Sequence, residues 1–155
     1  MRNTTLCYLE KNGCYLMLHR IKKAVDENSG KWIGVGGKFE QGESPEECAK
    51  REIFEETGLV ANKLNYRGIV TFVSNEWGTE YMHLFTCTDF TGTLKECDEG
   101  VLKWYPKDKI NYLNAWEGDK IFLDLIAKNS PFFSLKLVYH DDKLMSAILN
   151  QKTII

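Results

Sequence analysis

The chain has 155 residues, 43% of them hydrophobic and 27% charged, with a formal net charge of -2. That length suits one domain with a true hydrophobic core, expected over residues 1–155, and leaves little for a second. The charge balance argues against a general basic field for nucleic acid or membranes, and no apolar run is long enough to span a bilayer.

In chain order, Met1–Thr5 runs straight into a strand-like segment and lacks a signal-peptide core. Leu6–Glu10 and Cys14–His19 read as strands joined through Asn12-Gly13, a pair suited to the positive φ angles of a tight hairpin turn. Arg20–Lys31 is polar and aperiodic and reads as a loop, and Trp32–Gly37 as a strand end entering a Gly-rich turn. A helix is predicted over 45–57: Ser44 caps it, Pro45 opens it, Ser44 and Glu47 form a capping box, and Gly58 stops it. Leu64–Ser74 and Tyr81–Thr88 follow as strands, then a loop over 89–100 and a short strand at Val101–Tyr105. A second helix is expected over Trp116–Lys128, then a hairpin of Phe133–Tyr139 and Lys143–Leu149. The sum is an α/β (α+β) sandwich with a mixed sheet and two helices. The cysteines Cys7, Cys14, Cys48, Cys87 and Cys97 are odd in number and form no C-x-x-C, which suggests reduced thiols in a cytoplasmic protein.

Glu52, Glu55 and Glu56 stand at i, i+3 and i+4 and so share one helical face, where like charges repel. A solvated acidic face is the ordinary reading of such a triplet. A divalent cation would reverse the sign, because clustered carboxylates are hard oxygen ligands suited to Mg²⁺ or Mn²⁺. The surroundings favour the cation: Gly36-Gly37-Lys38 precedes the helix, and Arg51 and Glu43 can pair beside the triplet.

Residues 37–59 resemble the signature of the Nudix hydrolases. Gly37, Glu43, Arg51, Glu52, Ile53, Glu55, Glu56, Gly58 and Leu59 meet every fixed position of that box. The resemblance implies a Nudix α/β/α sandwich with a mixed central sheet. It also implies hydrolysis of a diphosphate linked to another moiety, with Mg²⁺ as cofactor and Mn²⁺ as a possible substitute. Glu55 and Glu56 would be the main ligands, with the Gly37 carbonyl and, from the later loop, Glu99. Glu52 would be a ligand or the base that activates water, and Arg51 and Glu43 would hold it in place. Lys38 and Arg20 are candidates for phosphate contacts, Arg20 equally for a solvated loop residue.

Outside the box the chain looks similar to MutT-like enzymes that remove oxidised purine nucleotides from the pool and so protect DNA. The partner implied is a small-molecule nucleotide, with no nucleic acid and no membrane. The reaction implied is 8-oxo-dGTP to 8-oxo-dGMP and pyrophosphate, with water attacking the β-phosphorus. Trp116 would stack on the base and Asp119 would hydrogen-bond it. Each also has a plainer reading, as a core anchor and as a first-turn acid. Phe72 is a candidate for the pocket wall, with a core side chain as its plainer reading. Ile33 stands where the mammalian pattern has an Asn, and Lys120 where it has a second acid. The alternatives are ADP-ribose, dihydroneopterin triphosphate, or a nucleotide sensor that does not cleave.

Overall fold

The computed structural model describes residues 1–22 and 27–155, so part of the loop expected over 20–31 lies outside the described residues. The elements are β1 (Arg2–Lys11), β2 (Cys14–His19), β3 (Trp32–Ile33), α1 (Pro45–Thr57), β4 (Val60–Ser74), β5 (Gly78–Thr91), β6 (Val101–Pro106), a 3-10 helix (Lys107–Tyr112), α2 (Asp119–Ala127), β7 (Phe133–His140), β8 (Lys143–Leu149) and β9 (Lys152–Thr153). The strands form one mixed array in the order β3-β2-β1-β5-β4-β7-β8-β9, with β6 on the other edge of β2. β1 runs parallel to β5, and β4 parallel to β7; the remaining ladders are antiparallel.

Alternation along β1 explains the layers. Side chains of a strand point to opposite faces in turn. Leu6 and Tyr8 join the apolar cluster under α2, whereas Cys7 and Leu9 join the cluster under α1. Both faces are covered, so the strand reads as a continuous apolar run rather than an alternating one. The two helices thus sandwich the sheet.

The predicted turn chemistry is present. Asn12 and Gly13 take φ of 51° and 72° between β1 and β2. The Ser44 side chain accepts from Glu47 N–H at 3.1 Å, and Glu47 Oε1 accepts from Ser44 N–H at 2.9 Å. A cap of this kind is worth about 1 kcal/mol. It sets the start of α1, whose inward face, Cys48, Ala49, Ile53 and Glu56, is buried.

Several boundaries differ from the expectation. β4 and β5 form a longer hairpin than 64–74 and 81–88. Register shifts at Ala61/Lys63, Lys63/Asn65 and Tyr66/Gly68 break the alternation that would have revealed its outer half. α2 begins at Asp119, not Trp116, because Trp116–Gly118 forms a turn in which Asp119 N–H reaches Trp116 O at 3.0 Å. The 3-10 helix and β9 were not expected; both are too short to impose a period. All five cysteines are free. Among the described residues no helix is long and apolar enough to cross a membrane.

Candidate active site

The crossing of β1 by the Gly36–Gly37 segment brings the start of α1 against the sheet. Thr5 N–H donates to Gly37 O at 2.9 Å, and Cys7 and Val35 exchange backbone bonds of 2.6 and 3.0 Å. The approach leaves no room at Gly37: a Cβ there would lie 2.6 Å from the Glu52 carboxyl carbon. Glycine is therefore what lets the loop backbone touch the first carboxylate of the triplet. One lone pair of the Gly37 carbonyl is taken by Thr5, and the Cys48 thiol lies 3.6 Å away.

Arg51 organises the helix face. Its Nε and Nη2 donate to Glu43 at 2.8 and 2.9 Å, a two-pronged pair. Its Nη1 donates to Glu52 Oε1 at 2.8 Å and to Glu55 Oε2 at 3.2 Å, and its Nη2 also reaches Lys38 O at 3.0 Å. Hydrogen bonds from Arg51 hold the Glu43 carboxyl down to about 2, helped by the Glu40 N–H. The same bonds, with Glu43 first, raise the guanidinium above its ordinary value.

The triplet splits by burial. Glu56 is 6% exposed and accepts from Gly36 N–H at 3.2 Å, while the Glu55 side chain is 56% exposed. Burial, then the neighbouring Glu99, pushes the Glu56 carboxyl well above the usual range. Burial also raises Glu52; Arg51 opposes it, and Glu55 and Glu99 add to it. Glu99 arrives from the loop before β6 and pairs with Arg20 through Nη1 at 3.2 Å. Thus Glu52, Glu56 and Glu99 influence one another, and Glu55 turns to Arg51. Among the described residues no three acidic, His or Cys side chains are gathered tightly enough to ligate a metal as they stand. Arg51 holds two of the acids that a cation would claim, Glu52 and Glu55. The donor set nevertheless fits a hard divalent cation: buried like-charged carboxylates raise one another, and a cation is what would relieve them.

A cavity of about 380 Å³ opens from this face. Glu52, Gly37, Glu99, Arg20 and the exposed Lys38 line one end. Ile33, Phe72, Trp116 and Asp119 line the other. Trp116 is 4% exposed, lies edge-on to Phe72 and Tyr139 at 5.0 and 4.8 Å, and donates from Nε1 to Asn28 Oδ1 at 3.1 Å. The Lys31 ammonium sits 4.5 Å from its ring centroid. Trp116 and Phe72 are therefore core residues and cavity walls at once. Asp119 opens α2 and is buried; burial pushes its carboxyl up to about 8, and Lys31 opposes the shift.

Sequence reasoning missed a polar group in the same cavity: Arg2, Thr4, Glu27 and Glu80. A signal existed. Glu80 alternates with Met82 and Leu84 on β5, so a charged residue stands at an inward position.

Residues 2–126 match the NUDIX domain. Over 115 residues the chain is 33% identical to the oxidized purine nucleoside triphosphate hydrolase of Danio rerio, covering 73% of this chain and 74% of that protein. Over 107 residues it is 31% identical to the CTP pyrophosphohydrolase of Escherichia coli K12, covering 67% and 76%. The crystal structure of the MutT protein of Bacillus halodurans superposes with a TM-score of 0.85 at 28% identity, covering 97% of this chain and 98% of that one. Box, sandwich and relatives agree, and the chain belongs to the Nudix family as a MutT-like pyrophosphohydrolase.

Proposed function

We propose that the enzyme hydrolyses an oxidised purine nucleoside triphosphate, 8-oxo-dGTP for choice, to the monophosphate and pyrophosphate. The observation that carries this reading is the single cavity with carboxylates at one end and an aromatic wall beside a buried acid at the other. That shape suits a nucleotide lying along it, with its phosphates toward Glu52 and its base against Trp116. The Danio relative, an oxidized purine nucleoside triphosphate hydrolase by name, supports the same class.

Nudix hydrolases generally use a divalent cation; here Glu56, Glu99, Glu55 and the Gly37 carbonyl, once the Cys48 thiol turns from it, would hold Mg²⁺, which neutralises phosphate charge when bound. Glu55 would join by rotating away from Arg51. Arg51 fixes one oxygen of Glu52, a residue of the cavity lining, and the other oxygen would take the proton of the attacking water. Glu43 keeps Arg51 in place and so positions Glu52. Lys38 and Arg20 sit at the cavity end suited to phosphate oxygens. Water attacks the β-phosphorus, so the monophosphate leaves.

A second reading is a pyrimidine triphosphate. The Escherichia relative is named for CTP, and Ile33 offers the base no polar side-chain atom. The test is Mg²⁺-dependent hydrolysis, read as loss of substrate and formation of the monophosphate products, on 8-oxo-dGTP, 8-oxo-GTP, dGTP, CTP, ADP-ribose and dihydroneopterin triphosphate. A kcat/KM highest for 8-oxo-dGTP supports the proposal, and a higher value for any of the last four overturns it. Hydrolysis in ¹⁸O-water is expected to label the pyrophosphate; label in the nucleotide refutes the site of attack.

A further inference from the structure

The parallel register of β1 and β5 sets Arg2 opposite Glu80 and Thr4 opposite Met82, and β4 sets Phe72 beside Glu80 on the other side. Glu80 is 8% exposed, at a position where strand alternation calls for an apolar side chain. A carboxylate placed there is costly unless it is paired. It is held at both oxygens: Arg2 Nη2 lies 3.0 Å from Oε1, and Thr4 Oγ1 donates to Oε2 at 3.1 Å. Arg2 is itself anchored by Glu27 at 3.2 Å and by the Trp77 carbonyl at 3.2 Å.

We propose that Glu80 is a specificity-determining residue of the nucleotide cavity, accepting N–H donors from the edge of an oxopurine base, with Arg2 and Thr4 as its positioning residues. The inference rests on the oxopurine reading above. Glu80, Arg2, Thr4 and Glu27 line the same cavity as Trp116 and Asp119. A carboxylate offers about four acceptor sites; Arg2 and Thr4 take one each, Glu27 shares a third, and capacity remains for a ligand donor. One guanidinium faces two carboxyl groups, Glu27 and Glu80, which also hydrogen-bond each other, so this corner is rich in acceptor oxygens that suit N–H donors. Ile33 itself offers those donors no polar side-chain atom.

Asp119 completes the logic. With its carboxyl pushed up to about 8 by burial, it is protonated at neutral pH and can donate. Burial pushes Glu80 up as well; the Arg2 guanidinium opposes the shift and the neighbouring Glu27 adds to it. The acceptor role rests on geometry: Arg2 and Thr4 each present a donor to one of its two oxygens. A donor and an acceptor in one cavity select a base edge that carries a carbonyl next to N–H groups. The 6-oxo, N1–H and 2-amino edge of a guanine-type base has that pattern.

The test compares 8-oxo-dGTP with 8-oxo-dITP, which lacks only the 2-amino group, on the wild type and Glu80→Met. Met keeps the volume, and Arg2 keeps Glu27, so no cation is stranded. The wild type is expected to prefer 8-oxo-dGTP by about 10-fold in kcat/KM, and Glu80→Met to bring that ratio close to one. Calorimetric binding of 8-oxo-dGMP and 8-oxo-dIMP without metal is expected to show the same loss of discrimination, independently of turnover. Because the ratio is taken on one enzyme sample, a partly unfolded fraction cancels. If Glu80→Met does not fold, Glu80→Gln is read against the same ratio. An active wild type whose preference is absent, or survives in the variant, overturns the role of Glu80 alone. A wild type inert toward 8-oxo-dGTP but active on another nucleotide overturns the oxopurine reading, and this inference with it.

Discussion

The two ends of the cavity are built by different rules. At the carboxylate end, Gly37, Arg51, Glu52 and Glu56 come from one loop and one helix, and charged hydrogen bonds of about 3 Å lock them. At the base end, Ile33, Phe72 and the Trp116–Asp119 turn come from three distant stretches, and ring packing of Trp116 against Phe72 and Tyr139 ties them to the core. Damage at the first end should fall on chemistry with the fold left standing. At the second end the wall is also the core, so affinity and stability should fall together.

The largest effect expected is at Glu56. Glu56→Gln keeps an oxygen to accept the Gly36 N–H but removes the charge. Turnover should fall by at least about 10³-fold, the upper range for losing one preorganised electrostatic contact. The melting temperature should hold within a few degrees. Glu55→Gln should also abolish turnover if Glu55 leaves Arg51 for the cation. Near-normal pyrophosphate release in both variants sinks the ligand assignment. Next in size is Gly37→Ala. The new methyl would lie 2.6 Å from the Glu52 carboxyl carbon, so the carboxylate or the loop must shift. A displacement on the order of 1 Å costs about 10²-fold in kcat. A variant with wild-type kcat would show that Glu52 needs no such precision.

The same contrast explains what could be read from sequence. The box end was legible because its geometry is local: the capping box fixes where α1 starts, and 3.6 residues per turn then place Arg51, Glu52 and Glu56. Helical spacing did not reveal that Glu55 would face Arg51 and solvent while Glu56 is buried, because that depends on where the sheet lies. Glu99 was found only through resemblance, and its approach to Glu56 depends on a loop closing back on β2. The base end was half legible. Trp116 and Asp119 were named, but the turn that delays α2 was not, since Gly118 N–H is fixed by the distant Tyr139 hydroxyl at 2.7 Å. Glu80 and Arg2 were passed over because their pairing requires the parallel β1–β5 register, which no local pattern encodes.

A smaller effect is expected at Trp116, and it tests the base end directly. Trp116→Leu removes the ring that packs edge-on to Phe72 and Tyr139. Unfolding stability should fall by about 2–4 kcal/mol, somewhat less than for truncation to Ala. KM should rise about 10-fold, the scale of one lost stacking contact, with kcat nearly kept. Lower stability with an unchanged KM would make Trp116 a core anchor only.

The smallest effect per pH unit, and the most specific, is the pH dependence set by Asp119. Its carboxyl titrates at about 8 in the fold, against an ordinary value of 3.8. The folded state therefore holds a proton that the unfolded chain releases as pH rises. Stability from this group is complete below about 4, declines as pH climbs, and levels off above about 8, where both states are ionised. The slope cannot exceed about 1.4 kcal/mol per pH unit for one proton. Asp119→Asn cannot titrate. Denaturant unfolding of both proteins from pH 4 to 9 should show the wild type losing ground to the variant as pH rises, with no further change at the alkaline end. The same deprotonation removes the donor offered to a base carbonyl, so wild-type affinity for an oxopurine monophosphate should weaken as pH passes 8, while that of Asp119→Asn stays level. A stability difference independent of pH would mean that Asp119 is already ionised in its pocket, and the donor–acceptor division of the base end would go with it.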